Sequence, residues 1–251
     1  MRKTLIAALA ALAALAMATV ALAQNPAPVV TVTAKASPSK AGTKAKPKSE
    51  SVNLLILNSE ESKTSAKRIE ILFPKTLKLN TTGLKSCSVA TLDNQGPAAC
   101  GKAKAGSGSA VANLNPDAPS KLYFRSTPYV AGKNKLAFYL QQTASEGGPV
   151  LDSGVTQALP ATIKKSGSGQ KITINIPANL QQPAPGTFSA LLKIQSTLGL
   201  KSGKHALVQS IGCNKKQHKL GVTVTYVPNP NPPAKPSATG TAGAACSGKA
   251  I

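Results

Sequence analysis

The sequence predicts a mainly β protein: an antiparallel β-sandwich, Ig-like or jelly-roll-like, of about ten strands, with one short helical turn and a disordered N-terminal segment. Two patterns predict it. Short runs of alternating or β-branched apolar residues recur along the chain, each long enough for a strand and too short for an ordinary helix. Between them stand turn formers such as Gly132-Lys133-Asn134, Ser166-Gly167-Ser168-Gly169 and Ser202-Gly203, which supply the positive φ angles that hairpins need.

Residues 1–23 read as an export signal. Arg2 and Lys3 form a basic start, Leu5 to Val20 is an Ala/Leu run, and Ala21-Leu22-Ala23 before Gln24 offers the small residues a signal peptidase requires. Cleavage at Ala23 makes the chain secreted, extracellular or cell-wall associated; the alternative is that the apolar run is kept as an uncleaved anchor, since it approaches the roughly 20 residues that span a bilayer. No later segment is apolar and long enough to span a bilayer.

Residues 24–50 are rich in Pro, Lys, Ala and Ser. Val29 to Thr33 has the composition of an edge strand, while Ser37 to Lys48 holds two Pro, four Lys and no large apolar side chain, which reads as a flexible basic segment. The β region spans 51–251, a length that fits one domain or two. Its strands fall at Ser51–Asn58, Arg68–Phe73, Ser107–Leu114, Lys121–Tyr129, Lys135–Gln142, Ala158–Lys165, Lys171–Pro177, Ser189–Gln195, Lys204–Ile211 and Lys219–Val227. Ser86 to Asn94 suits a capped helical turn, with Val89 and Leu92 three apart. Residues 228–245, rich in Pro, Asn, Gly and Ala, read as an extended loop.

The four cysteines, Cys87, Cys100, Cys213 and Cys246, form an even set in an exported chain and suggest disulfides, for which three pairings exist. Pairing Cys87 with Cys100 and Cys213 with Cys246 is favoured. A metal site of Cys213, His205 and His218 is the rival, but its spacing matches no zinc pattern.

The run Pro38 to Lys48 (PSKAGTKAKPK), then Phe73-Pro74-Lys75, then Cys87 to Leu92 (CSVATL), Gly96 to Cys100 (GPAAC) and Gly106 to Ala110 (GSGSA) resembles a group of uncharacterised secreted proteins of soil actinobacteria. That resemblance covers about a third of the chain. It implies export, a largely β fold and a Cys87–Cys100 bridge, and it brings no catalytic residue with it.

Catalytic chemistry is thinly supplied. The whole chain has eight carboxylates and two His, and Glu60 and Glu61 are neighbours that a strand would point to opposite faces. No GxSxG elbow or HExxH helix occurs, and Lys165-Ser166-Gly167 and Lys201-Ser202-Gly203 fit hairpin turns better than the KTG element of penicillin-interacting enzymes. No enzyme activity, cofactor or metal is expected.

Charge carries more information. Thirty basic residues against eight acidic ones give +22. Beyond the leader the cations are Lys, apart from Arg68 and Arg125, and Lys acts as a hydrated point charge without the planar two-point reading of Arg. With 3% aromatics and no Trp, specific nucleic-acid binding is not expected. The leading expectation is a non-catalytic cell-envelope protein that binds an anionic cell-wall polymer or lipid head groups, with Lys40, Lys44, Lys46 and Lys48 on the basic segment in front. The alternative is a sandwich or barrel that carries a small apolar ligand, suggested by the Leu/Ile-rich runs at Leu54–Leu57 and Leu191–Ile194. A preformed cavity separates the two expectations. A third reading, placed behind both, is a hydrolase with an unrecognised site, which requires His205 or His218 to meet a carboxylate in a cleft.

Overall fold

The computed structural model describes residues 28–59, 64–114, 120–227 and 235–251, and in them strand after strand buries every second side chain. β1 (Val30–Ser37) leads to the two-residue β2 (Lys48–Ser49), then β3 (Ser51–Asn58), β4 (Ala66–Phe73) and the short β5 (Leu77–Leu79). Helix α1 (Val89–Gln95) and a 3-10 helix (Pro97–Ala103) follow, and then β6 (Gly106–Leu114), β7 (Ser120–Gly132), β8 (Lys135–Thr143), β9 (Thr156–Ser166) and β10 (Gly169–Asn175). A one-turn helix α2 (Ala178–Gln181) precedes β11 (Ser189–Leu198), β12 (Lys201–Ser202), β13 (His205–Ala206), β14 (Val208–Ser210), β15 (Gln217–Tyr226) and β16 (Ser237–Ala245). The turn formers behave as expected, with Asn134, Gly167 and Gly203 at positive φ.

Eleven strands form one antiparallel sheet in the order β1-β3-β11-β6-β7-β8-β9-β10-β4-β15-β16. Eleven is odd, so with antiparallel neighbours throughout, the first and last strands run parallel. Where they approach, the bonding is parallel: Lys40 bridges Ser247, the Ala41 N–H donates to the Ser247 carbonyl at 2.8 Å, and the Ser247 N–H donates to that of Ser39 at 2.8 Å. The sheet is thus a nearly closed barrel, the closed form of the expected antiparallel sandwich. Small side chains on β16 permit the closure: a Cβ at Gly240 would stand 2.6 Å from Val32 Cγ2 and 2.7 Å from the Val30 carbonyl.

The register defines two ends. At the base, β1, β4 and β11 finish and β3, β6 and β15 begin, and a small sheet of β2, β14 and β5 packs Leu77, Leu79 and Val208 into the barrel core. At the far end, the β10-to-β11 connection crosses from one side of the barrel to the other and carries α2 with it. On the outer wall, Ser88 caps α1 by accepting from the Thr91 N–H at 3.0 Å, and the helix covers Tyr129, Tyr139 and Ala158.

Three sequence expectations need correction. The edge strand at 29–33 is the full eight-residue β1. Ser37 to Lys48 is held in place, not flexible: Ala41 is buried, the Gly42 N–H donates to Ser210 Oγ at 3.1 Å, and Lys48 pairs in β2. Backbone hydrogen bonds order this segment, and they leave no mark in side-chain hydrophobicity. For the same reason 237–245 is a strand where a loop was expected. Elsewhere, Lys204–Ile211 divides into β13 and β14 around the fully buried Leu207. The expected signal segment with its expected cleavage position at Ala23, the pair Glu60-Glu61, and residues 228–234 lie outside the described residues.

Candidate functional site

The barrel interior is unevenly filled. β4 and β10 present Ile69, Ile71 and Ile174 inward, but β6 offers only Ala110 and Ala112, and Ser126 on β7 and Ser196 on β11 replace bulky residues beside it. This one-sided shortage of side-chain volume leaves a cavity of about 290 Å³. Its walls include Leu54 and Ile56 on β3, Leu122 and Phe124 on β7, and Phe138 and Leu140 on β8. Lining positions run down β11 from Ser189 through Leu191 and Ile194 to Ser196, while Leu198, one step further toward the base, belongs to the packed core.

The far end of the cavity is roofed by the crossing connection, which contributes Ile176, Asn179, Leu180 and Pro183. Polar ties hold the roof to the barrel rim. Asn179 Nδ2 donates to Gln157 Oε1 at 3.1 Å, Ser65 Oγ donates to the Gln181 carbonyl at 3.0 Å, and Ser189 Oγ donates to the Leu180 carbonyl. Val155, 42% exposed, stands at the rim. No charged side chain lines the cavity among the described residues.

Of the residues singled out in the sequence, Leu54, Leu191 and Ile194 line the cavity. The four cysteines form Cys87–Cys100 and Cys213–Cys246, with Cα–Cα distances of 5.5 and 5.8 Å. Such bridges are consistent with an extracellular location. Cys213, weighed as a metal ligand, is taken up by its bridge. Lys40, Lys44, Lys46 and Lys48 are exposed at the base, far from the roofed end, and are joined there by exposed Lys75, Lys78, Lys215, Lys216 and Lys249. The one described Asp or Glu at the base is Glu50, which is buried; Glu70 and Asp93 sit on the barrel wall, and Glu146 and Asp152 lie toward the roofed end.

His218 does meet a carboxylate. Its Nε2 lies 3.4 Å from Glu50 Oε2, and its Nδ1 shares a 2.8 Å hydrogen bond with Thr76 Oγ1. This Thr-His-Glu order has the sequence of roles found in nucleophilic catalysis, yet the His218 and Glu50 side chains are 0% exposed and no cleft reaches them. It is a buried polar cluster under the small sheet. His205 lies apart, half-buried against Gly83 at φ +77°, where a Cβ would strike the imidazole.

Sequence reasoning missed Ser126, Ser196, Ala110 and Ala112. The signal for the two alanines is the run GSGSAVAN, a stretch of small residues; Ser126 and Ser196 stand among larger neighbours and leave no such mark. The fold and site together define an antiparallel β-barrel with an internal apolar cavity. No known family model, curated protein or solved structure matches the chain.

Proposed function

We propose that the protein is an exported, non-catalytic carrier that holds one small apolar molecule inside its barrel. The observation that carries this reading is the cavity of about 290 Å³ bounded by Leu, Ile, Phe and Ala side chains. A barrel built only for stability fills its interior, because every lost side-chain contact weakens the fold. An apolar cavity of about 150 Å³ already accepts benzene, so one nearly twice that size suits a molecule of about a dozen non-hydrogen atoms. Export rests on the leader-like residues 1–23 and agrees with the two disulfides.

Equilibrium dialysis of residues 24–251 against naphthalene tests the reading. One saturable site with a Kd on the order of 100 µM is expected for a ligand of this size. Partitioning that rises linearly with naphthalene and never saturates contradicts it.

A second reading concerns where the carrier acts. The base gathers exposed lysines, and no exposed Asp or Glu lies among them in the described residues. That asymmetry suits diffuse attraction to an anionic wall polymer or lipid head groups, with the roofed end turned away.

A further inference from the structure

Building on the carrier reading, we propose that the cargo is an uncharged molecule whose one hydrogen-bonding oxygen is held by the Ser196 hydroxyl at the floor of the cavity. Ser196 is 5% exposed, is the cavity-lining residue of β11 nearest the base, and its Oγ has no hydrogen-bond partner in the protein. A buried hydroxyl left unpaired is costly, and folded proteins rarely keep one without a use. Ser189, at the other end of the same strand, has its hydroxyl satisfied by the Leu180 carbonyl. The unmet hydrogen bond therefore sits at the floor.

The register reinforces the point. Ser196 pairs with Gly108 on β6, and Arg125 on β7 pairs with the neighbouring Ser109, which brings Ser126 to the same depth as Ser196. Two serines thus stand in the base-side part of a cavity whose other walls are largely aliphatic and aromatic, Phe138 among them. A hydroxyl or carbonyl oxygen arriving there satisfies Ser196, while the body of the ligand packs against Ile56, Ile69 and Leu191. A hydrocarbon of equal size leaves the hydroxyl unpaired. A carboxylate or ammonium finds no opposite charge at the floor and loses its hydration without compensation.

Competition against naphthalene with 1-decanol, decane and decanoate tests this on the same chain. Decanol is expected to bind about tenfold more tightly than decane, the ratio that one hydrogen bond to a buried group supports. Decanoate is expected to be the weakest of the three. In Ser196→Ala the decanol-to-decane ratio falls to about one. Equal binding of decanol and decane by the unmodified protein, with naphthalene still bound, overturns the serine anchor and leaves the carrier reading standing. Decanoate as the tightest of the three overturns the uncharged class, and a decanol preference that survives in Ser196→Ala overturns the role of Ser196. Absence of a saturable naphthalene site overturns both proposals.

Discussion

Nε2 of His218 lies 3.4 Å from Oε2 of Glu50, and solvent reaches neither side chain. The separation is too long for a good hydrogen bond, and Thr76 holds the imidazole from its other side at 2.8 Å. Glu50 immediately precedes β3 and His218 lies in β15, so this contact ties the segment leading into the barrel to its closing strands.

His218→Ala leaves the Glu50 carboxylate buried without a partner, and Glu50→Ala leaves His218 Nε2 unpaired while Thr76 still holds Nδ1. His218→Ala and Glu50→Ala are each expected to lower unfolding free energy by about 3–5 kcal/mol, whereas Glu50→Gln combined with His218→Gln loses much less. Urea denaturation of the three variants checks this. A double variant that loses as much as either single one would contradict a cost that lies in the partner left behind.

Tyr226 links the same closing strand to β3, donating its O–H to Asn58 Oδ1 at 2.8 Å. Burial raises the phenol above its ordinary value of 10.0. In the unfolded chain the phenol ionises near 10.0 and in the folded chain later, so the stability tied to its neutral form is complete below that pH and declines as the pH rises beyond it. Tyr226→Phe is expected to cost about 1 kcal/mol at neutral pH. The deficit relative to the parent then shrinks between about pH 9 and 12, as denaturation midpoints across that range will report. A constant deficit contradicts the assignment.

The strands were legible because burial alternates with the pleat: Ser51–Asn58 matches its predicted bounds at both ends, and Lys135–Gln142 falls one residue short. The cavity was not legible. It arises where Ala110 and Ala112 meet Ile194 and Leu191 across a ladder between β6 and β11, strands far apart in sequence. Glu50 was hidden for a related reason, since it closes a stretch whose order comes from backbone bonds to Ser210 and Ser247. Local composition reports neither kind of long-range pairing.

Filling the cavity should exchange function for stability. Ala110→Leu and Ala112→Leu place side-chain carbons in vacant apolar space, and each is expected to stabilise the fold by about 1 kcal/mol. The same variants should weaken naphthalene binding at least about tenfold. Calorimetric melting and dialysis on the same samples check both halves. Destabilisation together with unchanged uptake would mean that the space is not where ligand binds.

The lysines at the base make a separate claim. In the small sheet Lys48 pairs with Ser210 and Lys78 with Gln209, on opposite edges of β14, and both are exposed. Lys48→Glu with Lys78→Glu is expected to lower the salt concentration that releases the protein from anionic vesicles, with naphthalene affinity unchanged. An unaltered elution point would remove these two lysines from any surface contact.

The most direct test of the carrier account is the position of the ligand. With Ile δ1 methyls labelled, naphthalene should shift the resonances of Ile56, Ile69, Ile71, Ile174 and Ile194, which line the cavity. Ile163 and Ile172, in the same core but outside the lining, serve as internal references and should move little. Shifts confined to surface methyls, or spread equally over both sets, would contradict a barrel that carries its ligand inside.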